Sequence, residues 1–126
     1  MLSLGIHHVA VNAHAAGVEA VAQFYLEVVG LPELSRQTKS DGRLRSVWLS
    51  LSASGDPAAG FLAVEEGAHF GPAMVALKIH AADRRVLLAR LYERKVVVVK
   101  ETRWTVYVED PAGNRVAFSH HPHDPL

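Results

Sequence analysis

Residues 9–16 read VAVNAHAA and residues 75–82 read VALKIHAA, identical at five of eight positions. The offset of 66 is slightly over half of a 126-residue chain, and self-similarity at a fixed offset is the mark of a duplicated unit. The segments downstream of the two copies also match. After the first, Val18, Val21, Ala22, Tyr25 and Val29 recur at helical spacing, and Gly30 is placed to close the helix in the left-handed region. After the second, Asp83 is an expected N-cap, Leu88, Leu91 and Tyr92 form the apolar stripe, and Arg94 and Lys95 suit the negative end of the helix dipole.

Strand patterns come after each helix. The first set is expected at 34–38, 44–51 and 60–65, with SDGR (40–43) as a hairpin turn. The second set is expected at 96–100, 103–109 and 115–120, with DPAGN (110–114) as a tight turn in which Pro111 pre-sets φ and Gly113 and Asn114 tolerate positive φ. A second self-match, DPAAGFLAV (56–64) with DPAGNRVAF (110–118), recurs in the same order at an offset of 54. The sequence therefore predicts a strand–helix–three-strand unit used twice. The class is α+β in one domain over 1–126: a first unit of about 1–66, a second of about 72–120, and a tail at 121–126.

Composition bounds the function. Hydrophobic residues make up 49% and charged residues 21%, an ordinary globular balance. Thirteen basic residues offset thirteen acidic ones, so no global field recruits nucleic acid or an anionic membrane, and neither is expected as a partner. Without cysteine there is no thiolate metal site and no thiol nucleophile. No signal-peptide pattern and no apolar run of spanning length is present, so a soluble cytoplasmic protein is expected.

Alternation then assigns faces. Val47, Leu49 and Leu51 form a row suited to packing under helices, leaving Ser46, Trp48 and Ser50 to line something wetter. In the opening strand Val9 and Val11 take the helix side. This puts His8, Ala10 and Asn12 on the cavity side and His7 with the valines, so His8 alone is a candidate for chemistry.

These features resemble the vicinal oxygen chelate superfamily of glyoxalase I, extradiol dioxygenases and the bleomycin and fosfomycin resistance proteins. The carriers are IHHVAV (6–11), QFYLEVVGLPEL (23–34), MVALKI (74–79) and VYVEDPAGNRVAF (106–118), in order over nearly the whole chain. The resemblance implies two βαβββ modules whose mixed sheet curls around one cavity, glyoxalase-like, and a homodimer, since many members exchange modules between chains. It also implies a divalent metal held by one residue from each opening strand and one from each closing strand. Carried over, those positions are His8, Met74, Ala63 and Ala117, so three of the four hold no suitable donor. Glu65 or His69 would rebuild a site only through a register slip of two residues or a bulge.

No metal site and no cofactor are therefore expected. The expected ligand contacts are His8, Trp48, Ser50, Ala63, Met74, Lys78, Trp104, Arg115 and Ala117, with Lys78 and Arg115 able to meet an anionic group and the tryptophans a planar one. His8 is also the candidate catalytic base. The leading expectation is a metal-free protein holding a small, partly apolar molecule. The sequence leaves open whether it is an enzyme, the alternative being a lyase, isomerase or dioxygenase with a rebuilt metal site, or a metal-free enzyme using His8. The histidines of SHHPHDP (119–125) are expected to belong to a frayed tail.

Overall fold

A computed structural model describes residues 7–14, 16–56, 59–67 and 73–120. Its elements run β1 (His8–Asn12), α1 (Val18–Phe24) continuing into a π-helical turn (Tyr25–Val29), β2 (Glu33–Thr38), β3 (Leu44–Ser50) and β4 (Phe61–Glu65). The second unit repeats the order: β5 (Met74–Lys78), a 3-10 turn (Ala81–Asp83), α2 (Arg84–Glu93), β6 (Lys100–Glu101), β7 (Thr105–Glu109) and β8 (Arg115–Ser119). Both offsets hold: β5 begins 66 residues after β1, and β8 begins 54 after β4.

Two four-stranded mixed sheets result, ordered β1-β4-β3-β2 and β5-β8-β7-β6. In each, the opening strand lies parallel to the closing strand and the rest are antiparallel. The sheets are not closed into a barrel, and β1 and β5 end their sheets unpaired on one edge among the described residues. One side of each sheet is apolar. Val11, Val47, Leu49, Leu62 and Val64 bury against α1, while Val75, Val106, Val108, Val116 and Phe118 do the same in the second unit, and all join one core with Leu91 of α2. Each such aliphatic side chain contributes roughly 1.5–3 kcal/mol by leaving water.

Four expectations are corrected. Asp83 occupies the N-cap position, but its side chain makes no capping bond, because the 3-10 turn already leads the chain into α2. The strand foreseen at 96–100 shrinks to Lys100–Glu101: the Val96 N–H closes the helix on the Leu91 carbonyl, and the segment rejoins the sheet only where Val99 N–H reaches Tyr107 O. The strand foreseen at 103–109 starts at Thr105, since Thr102 caps the hairpin by accepting from the backbone N–H of Trp104 and Thr105. In DPAGN only Gly113 takes positive φ, at 86°.

Asn114 serves that turn with its side chain. Its Nδ2 donates to Asp110 and to the Asn12 carbonyl of β1, both at 2.8 Å, and its Oδ1 accepts the Ala73 N–H at 2.9 Å. Asp110 also accepts from Tyr25 Oη and from the backbone N–H of Ala112 and Asn114, each at 2.9 Å. The turn thus ties β1, the π-helical turn and the start of β5 together. Arg94–Glu27, at 3.0 Å, adds an exposed link between the units.

Candidate functional site

The sides of the sheets turned away from the helices carry the candidate residues. Register places them in rows. In the first unit His8 stands opposite Phe61, Ala10 opposite Ala63, and Asn12 opposite Glu65, with Ser50, Trp48 and Ser46 of β3 continuing the rows. Along these rows runs a ring stack. His8 lies on Phe61 at 4.9 Å and 8°, and Phe61 lies on Trp48 at 4.4 Å and 21°. Ala63, opposite Trp48, is buried beneath it. Aromatic pairs of this spacing are worth about 0.5–1.5 kcal/mol beyond their buried area.

His7 does not turn away with the valines. Its ring meets Phe61 edge-on at 5.5 Å, and its Nδ1 shares a hydrogen bond of 2.9 Å with His8 Nδ1. His7 precedes the first strand residue, its carbonyl accepting the Phe61 N–H at the very end of the ladder. In that bond one ring donates and the other accepts. Phe61 was missed as a site residue. The signal was available, since Phe61, Ala63 and Glu65 share one phase of β4, but its stacking depends on cross-strand register.

Ser50 is fully buried, and its hydroxyl donates to Asp56 O while accepting the Ser52 N–H. It holds the 51–56 loop. Glu65 is half-buried and its carboxylate makes no hydrogen bond or ion pair among the described residues. His69 lies outside the described residues, as do His121 and His123.

The second unit repeats the rows with different chemistry. Met74 stands opposite Arg115, Ala76 opposite Ala117, and Lys78 opposite Ser119, with Glu109, Tyr107 and Thr105 of β7 beside them. Met74 is 62% exposed and Lys78 is exposed, whereas Ala117 is buried opposite Tyr107. The Lys100 ammonium sits 5.7 Å from the centre of the Tyr107 ring. Arg115 is loosely held: its Nη2 is 3.7 Å from Glu109, and its buried Nε has no partner among the described residues. Trp104 is elsewhere, before β7, edge-on to buried His120 at 5.5 Å and beneath Arg103. The two tryptophans are not brought to one wall.

The four positions that the sequence resemblance assigns to a metal do not suit one here. They offer one imidazole, already bonded to its neighbour and stacked, a thioether and two methyl groups, while a divalent ion needs several N or O donors. Among the described residues no three His, Cys, Asp or Glu side chains cluster as a metal site. A recess of about 230 Å³ opens beside Trp48, lined by Arg45, Ser46, Glu65 and Glu66. Broader grooves of about 580 and 660 Å³ lie around Val96 and Val97, the first reaching Glu109 at the end of the second unit's rows.

No family model matches the sequence, and no curated protein matches it. Solved structures do. A lactoylglutathione lyase from Agrobacterium tumefaciens superposes with a TM-score of 0.75 at 20% identity, covering 96% of each chain. An integron cassette protein from the mobile metagenome of a Halifax Harbour sewage outfall gives 0.73 at 21% identity, covering 94% of this chain and 99% of its own. A mutant of the fosfomycin resistance protein FosX from Listeria monocytogenes, solved with Mn(II) and 1S,2S-dihydroxypropylphosphonic acid, gives 0.76 at 12% identity, covering 97% of this chain and 96% of its own. The chain therefore shares the glyoxalase-like fold of these structures, with both βαβββ units in place.

Proposed function

We propose that this protein binds a small, partly apolar molecule without a metal ion, in a cavity formed where the open face of a first unit meets that of a second. The observation that supports this reading is the donor-poor character of the open faces: Ala63 and Ala117 are buried methyl groups, and His8 is drawn into a ring stack. Arg115 and Lys78 supply positive charge on the facing wall, suited to an anionic group of the ligand. A homodimer is part of the proposal. Each chain exposes Trp48 and Met74 on these faces and leaves an edge of β1 and of β5 unpaired, which a second copy would cover.

Untagged protein titrated with a panel of small metabolites and natural products is expected to show saturable tryptophan quenching with at least one compound. That compound should add about 2.7 kcal/mol of stability at a hundredfold excess over its Kd. Chelator should leave the melting temperature unchanged. A stoichiometric divalent ion in the purified protein, or silence across the panel, would overturn the proposal.

A further inference from the structure

We infer that the ligand is a flat nitrogen heteroaromatic whose edge alternates hydrogen-bond donors and acceptors, stacked on Trp48 with that edge in the recess between Arg45 and Glu65. This rests on the binding function proposed above and names its ligand class. Trp48 has one ring face against Phe61, which is held from its other side by His8, yet the residue remains 36% exposed. The indole is therefore fixed before a ligand arrives, and a further ring extends the stack without ordering a loose side chain. An aliphatic ligand would gain apolar burial on this platform but not the added ring-on-ring contribution.

The recess supplies the second half. Its volume of about 230 Å³ is below the 300–1,000 Å³ usual for a whole ligand, so it takes the edge of a fused ring whose body lies on the indole. Of its polar groups, Glu66 is engaged by Lys39 at 2.6 Å and by Arg43 at 3.0 Å, and the Ser46 hydroxyl donates to Gln37. The side chains of Arg45 and Glu65 make no hydrogen bond or ion pair among the described residues. One offers only donors and the other only acceptors, so the complementary edge places an N–H beside a carbonyl or ring nitrogen. A polyanion fits poorly, because two carboxylates line the same recess.

Lumiflavin is a suitable probe: it is flat, carries an N–H between two carbonyls, and reports stacking through its own fluorescence. Saturable quenching is expected. Trp48→Leu should weaken binding by about tenfold or more, and Trp48→Phe, which keeps a ring on Phe61, should retain most of it. Arg45→Ala and Glu65→Ala should each weaken lumiflavin by roughly five- to tenfold while leaving 1-naphthalenemethanol, flat but without the edge, unaffected. Equal affinity for both probes, or lumiflavin binding indifferent to Trp48→Leu, overturns the inference. If some compound of the metabolite panel binds and lumiflavin does not, the ligand class is wrong and the binding function stands. If nothing binds, both fall.

Discussion

At the scale of single residues, the side chains that decide this molecule's integrity are not those lining its open faces. Tyr25 is fully buried and donates to Asp110, whose carboxylate gathers three further donors from its own turn. Burial first, then the negative charge of Asp110 and the hydrogen bond to it, push the Tyr25 hydroxyl far above the ordinary phenol range. The raised value means that the fold favours the neutral phenol. Its contribution is complete below the unfolded value near 10 and is lost as pH climbs beyond it. Tyr25→Phe should cost about 1.5–3 kcal/mol in urea unfolding at neutral pH, and the variant should lose less stability than the parent above pH 10. Asp110→Ala should cost more, because it strands the Tyr25 hydroxyl and several N–H groups at once. Equal stability of either variant with the parent would refute this view of the turn.

At the scale of elements, the two copies of the helix have diverged at their ends. Gly30 follows the start of α1 by twelve residues, and Lys95 follows the start of α2 by eleven, yet both take the left-handed conformation that stops the helix. The extra residue in the first copy is absorbed by the π-helical turn, whose Tyr25 carbonyl accepts from both Gly30 and Leu31. Tyr25, which opens this turn, is also the residue that donates to Asp110. Gly30→Ala should destabilise by roughly 1–2 kcal/mol: its φ is 87°, and an added Cβ would lie 3.4 Å from Arg90 Nη1. Lys95→Gly should instead gain about 0.5–1 kcal/mol, since a side chain there sits at φ 58°. Thermal melts of both variants check the pair, and a sign opposite to either expectation would show that the caps are not equivalent.

At the scale of the whole molecule, zero formal net charge and two uncovered sheet faces frame the assembly. Among the described residues no helix is long and apolar enough to cross a membrane. Sedimentation equilibrium at micromolar protein is expected to return twice the 13.7 kDa chain mass. Ligand should tighten that association if residues of both copies line the cavity. A monomer that binds ligand at full affinity would sever the dimer from the site.

The duplicated pattern and its offsets were enough to place seven of the eight strands and both helices, and to pair His8 with Met74 and Ala63 with Ala117, because repetition and alternation are properties of the chain itself. The tertiary structure decided the rest. It brought His7 and Phe61 into the stack, separated Trp104 from Trp48, committed Ser50 to a loop, and cut short the strand after α2. The reason is physical. Periodicity says which side of an element a residue faces, whereas which ring lies on which is set by cross-strand register and by where pairing begins, and both are fixed only when distant segments meet.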